Sequence, residues 1–319
     1  MPELPEVETI KEDLKDIIKD KRIKRVEVRL AKAIKNTSGK RFIQEVKGDT
    51  FKSLSRRGKY LIFSLKSGRS LVIHLGMTGR LIYAKAKEEI SDYNQKFSRV
   101  IFTLLDSKPR RIRTQSVRQD KFLTSLDSKH PTRQIEREYL TGFTLDKEIL
   151  RFVDMRGFGG IYLIPKGGLE RFSRLTDLGP EPLSREFTPP VFKDSLKRHK
   201  AKIKPLLLNQ QFLAGLGNIY ASESLYRARI SPLRRADSLS NKEIKRLHGA
   251  IQKVLMGAIA NHGASIDASY VDAKGRKGSY QFKLKVYRRE GERCPRCGGR
   301  IKRTKQNNRS TYFCPICQK

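Results

Sequence analysis

The chain has 319 residues, enough for two domains, and 37% of them are hydrophobic, so each domain can build a core. Lys and Arg number 69 against 33 Asp and Glu, and the net charge of +36 indicates a polyanionic partner, for which nucleic acid fits better than a membrane. A charge that only keeps the protein soluble is the alternative. No apolar run approaches about 20 residues, and the charged N-terminus lacks a signal-peptide pattern. We therefore expect no membrane contact and a location in the cytoplasm, at the nucleoid.

The N-terminal string Met1-Pro2-Glu3-Leu4-Pro5-Glu6-Val7-Glu8 carries the first candidate chemistry. If Met1 is removed, Pro2 presents a secondary amine beside the carboxylate of Glu3. An α-amino group has a pKa of roughly 8, so part of it is unprotonated near neutral pH. Such an amine can attack a sugar aldehyde carbon and form an iminium, with the carboxylate as acid and base. The same residue types also fit an irregular, proline-containing segment that leads into a helix with acids in its first turn.

Hydrophobic periodicity predicts a helix followed by many strands. Apolar residues recur at spacings of three and four from Val7 to Ile18, which is typical of an amphipathic helix. Short apolar or alternating runs, punctuated by glycines, then predict an antiparallel β-sandwich. These runs cover residues 23–30, 51–54, 60–65, 71–75, 81–83, 100–105, 149–153 and 161–164. Residues 108–145 break the pattern and predict a basic, partly mobile insertion.

Three turns of this half carry side chains suited to DNA. Arg56-Arg57-Gly58-Lys59-Tyr60 places three cations around a glycine, where a phosphate could bind, although an ordinary basic turn has the same composition. Met77 stands in a turn between two glycines and could wedge into a base stack, whereas core packing is the commoner fate of Met. Arg156 and Phe158 share a glycine-rich turn and could fill a gap in a duplex. A buried Phe beside a surface Arg is the alternative.

A Gly- and Pro-rich stretch predicts a linker before a helical second half. We place the N-terminal domain at 1–176, the linker at 177–188, the helical domain at 189–284 and a zinc finger at 285–319. Ser240 and Glu243 form a capping-box pattern that opens a helix with an apolar face. In Gly215-Leu216-Gly217-Asn218, two glycines precede another predicted helix, so backbone N–H groups and Asn218 could contact a phosphate.

All four cysteines lie in the last 26 residues, which favours a local metal site in a reducing compartment over a disulfide framework. Cys294 and Cys297 form one Cys-x-x-Cys pair, and Cys314 and Cys317 form another after 16 residues. Four thiolates at this spacing predict one closed, tetrahedral Zn²⁺ site that is structural and not catalytic. The basic segment 300–311 between the pairs is predicted to be a hairpin held over DNA.

In this order, the motifs resemble the formamidopyrimidine-DNA glycosylases, bacterial enzymes of base-excision DNA repair. The N-terminal string resembles the opening of that family, and Gly217-Asn218-Ile219-Tyr220-Ala221-Ser222-Glu223 resembles its helix-two-turns-helix signature. The resemblance covers nearly the whole chain apart from the insertion. It implies an α+β protein of two domains, with an N-terminal antiparallel β-sandwich flanked by helices and a helical helix-two-turns-helix domain ending in a β-hairpin zinc finger.

The resemblance also implies an activity: a monomeric, bifunctional glycosylase and lyase that acts on damaged double-stranded DNA. It would remove oxidised purines such as 8-oxoguanine and formamidopyrimidines, then cut the strand by β- and δ-elimination. The implied catalytic residues are Pro2 as Schiff-base nucleophile, Glu3 as acid and base, Lys59 for β-elimination and Arg309 for δ-elimination, the last two also contacting phosphate.

A second group of residues would bind DNA by the same resemblance. Met77, Arg156 and Phe158 would fill the space of the flipped nucleotide. Asn218 would bind the phosphate beside the lesion, and Lys204, in Ile203-Lys204-Pro205, would add a contact. The family usually has a second Arg where Gly157 stands here, which bears on recognition of the opposite base.

Two alternatives remain open. One is the sister activity on oxidised pyrimidines, although the endonuclease VIII branch resembles Pro-Glu-Gly-Pro where this chain has Pro-Glu-Leu-Pro. The other is a zinc-ribbon protein that binds lesions without catalysis, against which the intact set Pro2, Glu3, Lys59 and Arg309 argues.

Overall fold

The structure is a computed structural model that describes residues 1–85, 88, 90–106, 147–266 and 270–319, so the predicted insertion 108–145 lies outside the described residues. Within these residues, eight strands belong to the N-terminal half: β1 Lys21–Val28, β2 Phe51–Arg57, β3 Tyr60–Leu65, β4 Ser70–His74, β5 Gly79–Lys85, β6 Ser98–Asp106, β7 Glu148–Asp154 and β8 Gly160–Ile164. The helices in the described part of this half are α1 Leu4–Leu14, α2 Gly39–Val46, α3 Asp92–Lys96 and α4 Ser173–Thr176.

The strands form two four-stranded antiparallel sheets, in the orders β1-β6-β7-β5 and β2-β3-β4-β8. Apolar side chains from both sheets meet in one core, in which Phe63 of β3 and Phe102 of β6 are at most 1% exposed. Phe51 of β2 stacks edge-on against Phe102 across the sheets, with ring centroids 6.5 Å apart. The predicted antiparallel β-sandwich is confirmed.

Helix α1 is embedded in two hydrophobic cores. Its residues Val7, Ile10 and Leu14 are fully buried among the sandwich side chains. Leu4, at its first turn, is fully buried in the core of the helical domain instead. Glu3 is the N-cap residue and forms a capping box with Glu6. Because both cores hold one helix, the N-terminus is fixed at the junction of the two domains.

The second half is helical and ends in a two-stranded hairpin. It contains the helices α5 Pro189–Lys197, α6 Ile203–Leu208, α7 Asn218–Ala228 and α8 Asn241–Ile259, and the strands β9 Lys302–Gln306 and β10 Arg309–Phe313. The predicted capping box at Ser240 and Glu243 opens α8. Among the described residues, no helix combines the length and apolarity that a membrane span requires.

The hairpin has a tight two-residue turn. Asn307 and Asn308 both have positive φ, 45° and 59°, the left-handed pair that matches the twist of a β-hairpin. The base of the hairpin packs on the helical domain, where Cys294 and Cys314 are buried with Tyr226 of α7. Arg309 directly follows this turn and is exposed, and the base of the hairpin is anchored on α7.

Candidate active site

The carboxylate of Glu3 lies against the N-terminus of α7. Its oxygens accept hydrogen bonds from the backbone N–H groups of Ile219, at 2.9 Å, and Tyr220, at 3.4 Å. A Cβ at Gly217 would lie 2.3 Å from the carboxyl carbon of Glu3, so only glycine admits this approach. The interpretation that these N–H groups hold a phosphate is therefore wrong for Ile219 and Tyr220. The positive end of the helix instead stabilises the charge of a protein carboxylate.

Glu6 supplies a second carboxyl group next to Glu3, and the sequence pattern predicts only a first-turn acid at this position. Its oxygens accept from the backbone N–H of Glu3 at 2.8 Å, the backbone N–H of Ala264 at 2.8 Å and the hydroxyl of Tyr220. Burial, and then the negative charge of Glu3, raise the pKa of Glu6. Glu6 thus ties α1 to α7 and to the turn after α8. The capping-box spacing of Glu3 and Glu6 was the only signal for it in the sequence.

Lys59 is buried beside these carboxylates. It follows Gly58 in the β2–β3 turn and is 7% exposed. Burial lowers the pKa of its amine, the charge of Glu3 opposes that shift, and the guanidinium of Arg309 adds to it. The charge of Lys59 therefore interacts with the charge of Glu3, which is next to Pro2 in the chain, and with that of Arg309 on the hairpin. Glu3, Lys59 and Arg309 therefore lie near enough to interact electrostatically, and Pro2 directly precedes Glu3 in the chain.

The other two cations of the β2–β3 turn are engaged within the protein. Arg56 contacts Glu8 at 2.5 Å and Glu181 at 2.9 Å. Arg57 contacts Glu181 at 3.3 Å and donates to two carbonyls of the linker at 2.8 Å. These protein partners favour the alternative of an ordinary basic turn for Arg56 and Arg57. They fasten the turn to the linker, whereas Lys59 of the same turn interacts electrostatically with Glu3.

Lys204 joins α6, α7 and the hairpin. Its amine is fully buried and donates to Asn218 Oδ1 at 2.6 Å, the carbonyl of Ser310 at 3.0 Å and Thr311 Oγ1 at 2.8 Å. The amide of Asn218 also donates to the Ser310 carbonyl, at 3.0 Å. Burial lowers the pKa of Lys204 to about 8, so its charge is present at neutral pH and is lost as the pH rises through that value. These two predicted DNA-binding residues hold the strand that begins with Arg309.

We expect Lys204→Met to weaken duplex binding by about 10- to 100-fold at pH 7, because it removes charge-assisted hydrogen bonds that align the hairpin. Fluorescence anisotropy with an abasic-site duplex measures the change. Lys202→Met is the matched control, since Lys202 lies two residues earlier and is exposed. Equal losses in the two variants would show that charge alone, and not the alignment of the hairpin, accounts for the effect.

Two neighbouring turns, residues 75–79 and 155–159, carry the predicted wedge side chains, and we call them the wedge turns. Met77 is 38% exposed and Phe158 is 57% exposed. The guanidinium of Arg156 lies over the Phe158 ring, 4.7 Å from its centroid. The alternative in which Met77 and Phe158 are core residues is therefore wrong, and both side chains are free to enter a base stack. Gly157 has φ of +69°, a conformation that side-chain-bearing residues rarely adopt.

The four cysteines are grouped as a metal site. Their sulfur atoms all lie within 4.8 Å of one another. The separation is 3.8 Å from Cys294 to Cys317 and 3.5 Å from Cys297 to Cys314. Zn–S bonds of about 2.3 Å in a tetrahedron would put the sulfurs about 3.8 Å apart. The donor set and its spacing fit one structural Zn²⁺ ion.

Comparisons with known proteins agree along the chain. Family models match residues 1–161 (Formamidopyrimidine-DNA glycosylase N-terminal domain), 178–269 (Formamidopyrimidine-DNA glycosylase H2TH domain) and 291–319 (Zinc finger found in FPG and IleRS). A relative from Pelotomaculum thermopropionicum named formamidopyrimidine-DNA glycosylase is 39% identical to this chain, over 100% of this chain and 99% of the relative. A relative of the same name from Heliobacterium modesticaldum is 41% identical, over 100% of both chains. The chain belongs to the formamidopyrimidine-DNA glycosylase family.

Solved structures of formamidopyrimidine-DNA glycosylases have the same fold. MutM in complex with DNA containing carbocyclic 8-oxo-G aligns with a TM-score of 0.78 and 30% identity, covering 100% of both chains. Lactococcus lactis Fpg in complex with abasic-site DNA aligns with a TM-score of 0.78 and 31% identity, covering 99% of both chains.

Membership of the formamidopyrimidine-DNA glycosylase family confirms several predictions from the sequence. The protein is a DNA glycosylase of base-excision repair, and DNA is its partner. The α+β fold, with its helical domain and zinc finger, is confirmed, and the four cysteines are the site of one structural zinc ion. The roles of individual residues stay predictions.

Proposed function

We propose that the protein excises oxidised purines from double-stranded DNA through an iminium at Pro2 and then cuts the strand as a lyase. The observation that carries this proposal is the convergence of charges at the N-terminus. The carboxylate of Glu3 accepts hydrogen bonds from N–H groups at the start of α7. The amine of Lys59 interacts electrostatically with both Glu3 and Arg309. A nucleophile, an acid and base, and two cations for phosphate are therefore supplied by one chain, which favours a monomer.

The reaction begins with extrusion of the damaged nucleotide from the duplex, which a damaged base makes easier because its pairing is weakened. The nitrogen of Pro2 bonds to C1′ of the sugar as the glycosidic bond breaks. The base leaves with the electron pair of that bond and takes up a proton, and the nitrogen of Pro2 gives up its own. Glu3 protonates the ring oxygen as the sugar opens to the iminium. Met1 must be removed beforehand, since its peptide bond would occupy the nitrogen of Pro2.

Strand cleavage follows from the iminium. Its electron-withdrawing nitrogen acidifies the proton at C2′, and loss of that proton expels the 3′ phosphate in β-elimination. A second elimination expels the 5′ phosphate. The positive charges of Lys59 and Arg309 would stabilise the negative phosphates as they leave. Met77, Arg156 and Phe158 would fill the gap in the duplex meanwhile.

The relatives support oxidised purines as the substrate. The aligned MutM structure contains 8-oxo-G DNA, and a Lactococcus lactis Fpg variant was solved with Fapy-dG DNA. The relatives from Pelotomaculum thermopropionicum, Heliobacterium modesticaldum and Desulforamulus reducens carry the name formamidopyrimidine-DNA glycosylase, which disfavours the sister activity on oxidised pyrimidines. Because the substrate is DNA, we place the protein at the nucleoid in the cytoplasm.

Borohydride trapping on an abasic-site duplex tests the nucleophile. Reduction should yield a stable enzyme–DNA adduct, and mass spectrometry of its peptides should place the DNA on a peptide that begins at Pro2. Protein in which Met1 is retained is the control, and it should give no adduct, because its Pro2 nitrogen is an amide. An adduct on an internal lysine in both preparations would overturn the assignment, and absence of any adduct would favour the non-catalytic alternative.

A further inference from the structure

A buried carboxylate connects the two wedge turns. Asp154 ends β7 and is 0% exposed. Its Oδ1 accepts a hydrogen bond from the hydroxyl of Thr78 at 2.6 Å, and its Oδ2 accepts from the backbone N–H of Gly159 at 2.7 Å. Thr78 Oγ1 in turn accepts from the backbone N–H of Arg156 at 3.2 Å. One carboxylate and one hydroxyl therefore link residue 78 of the first turn to residues 156 and 159 of the second.

The backbone of Asp154 is itself held by hydrogen bonds at its carbonyl and at its N–H group. The guanidinium of Arg99 donates to the carbonyl of Asp154 at 2.7 Å, and the backbone N–H of Asp154 donates to the carbonyl of Phe97 at 3.0 Å. The turns also touch directly, since a Cβ at Gly76 would lie 2.5 Å from the nitrogen of Gly159. A buried carboxylate is stable only while donors satisfy its oxygens, and each wedge turn supplies a donor to a different oxygen of Asp154. Displacing either turn would therefore deprive one of these oxygens of its donor.

We infer that Thr78 and Asp154 are positioning residues that hold the wedge turns in register, so that Met77, Arg156 and Phe158 enter the duplex as one unit. The inference rests on the proposed function, in which these side chains replace the extruded nucleotide. The space left by one nucleotide is only about 3.4 Å thick. Side chains from two separate turns can share it only if the turns keep a fixed relative height.

Thr78→Val tests the linkage, because it keeps the side-chain shape and removes the hydroxyl. A 2-aminopurine beside the lesion reports opening of the duplex, and single-turnover excision follows the chemistry. We expect Thr78→Val to slow opening and excision by about 10- to 100-fold, the cost of a misplaced functional group. Thr78→Ser retains the hydroxyl and should restore the rate. In a Met77→Ala/Phe158→Ala background, Thr78→Val should add less than it does in the wild type, because two of the three side chains that it positions are gone.

Ser98→Ala is the matched control. Ser98 is buried in β6 and its hydroxyl donates to the carbonyl of Asn94 at 2.6 Å, so this variant loses a buried hydroxyl from the same sheet without touching the wedge turns. It should open the duplex at the wild-type rate. If Thr78→Val is poorly folded in a thermal melt, Thr78→Ala replaces it in the same assay.

The outcomes separate this inference from the proposed function. If Met77→Ala and Phe158→Ala slow opening but Thr78→Val does not, the positioning role is overturned and the wedge role stands. A Thr78→Ser variant as slow as Thr78→Val also overturns the positioning role. If Met77→Ala and Phe158→Ala both open the duplex at the wild-type rate, the proposed wedge role fails, and the positioning role fails with it.

Discussion

Glu3→Gln is expected to slow single-turnover base excision by about 10²- to 10⁴-fold, the usual range for loss of a general acid or base. Glutamine has the shape of glutamate and its carbonyl can still accept the hydrogen bond from Ile219 at the start of α7. Affinity for a lesion duplex should therefore change little. Rapid-quench measurement of base release, with anisotropy for binding, distinguishes the two effects.

Glu6→Gln is a comparison variant for Glu3→Gln, because Glu6 is a buried carboxyl group that contacts the backbone of Glu3. Glu6 is 1% exposed, and its oxygens accept from the backbone of Glu3, the backbone of Ala264 and the hydroxyl of Tyr220. Glu6→Gln should therefore act only through the placement of Glu3 and cost less. Glu12→Gln is the control for charge, because Glu12 is 45% exposed on α1. If Glu3→Gln excises at more than a tenth of the wild-type rate, the role assigned to Glu3 is wrong.

Loss of zinc should weaken DNA binding by about 10²-fold or more, as several charge-assisted contacts of the hairpin disappear together. Cys314→Ser removes one of four ligands in a closed site, and folding of such sites is coupled to metal binding. The displaced strand carries Arg309, as well as the Ser310 carbonyl and Thr311 hydroxyl that Lys204 holds. The β-sandwich has its own core and should stay folded.

Zinc content, anisotropy and thermal unfolding followed by circular dichroism test this expectation. Arg309→Ala is the matched variant, since it removes one cation and leaves the four cysteines in place. It should retain zinc, and the slope of affinity against salt concentration should fall by about one. Full DNA affinity in zinc-free Cys314→Ser protein would show that binding does not depend on an ordered hairpin.

The amino-acid sequence by itself determined the features that depend on local spacing. Two Cys-x-x-Cys pairs predict a tetrahedral zinc site because neighbouring residues supply each half of it. Alternating runs predict strands because successive side chains point to opposite faces, and the structure confirms the sandwich. Ser240 and Glu243 predict the start of α8 because a capping box spans only four residues. The family, too, was evident from short strings in a fixed order.

Only the tertiary structure decided how charged and exposed side chains are used, because their partners are distant in the chain. Arg57 contacts Glu181 from 124 residues away, so its engagement cannot be read from the turn itself. The amine of Lys204 meets Thr311 across 107 residues, and Glu3 meets Ile219 across 216. Whether Phe158 is buried or 57% exposed depends on which surface the sheets leave uncovered. Residue type determines which interactions a side chain can form, and long-range packing determines the partner with which it forms them.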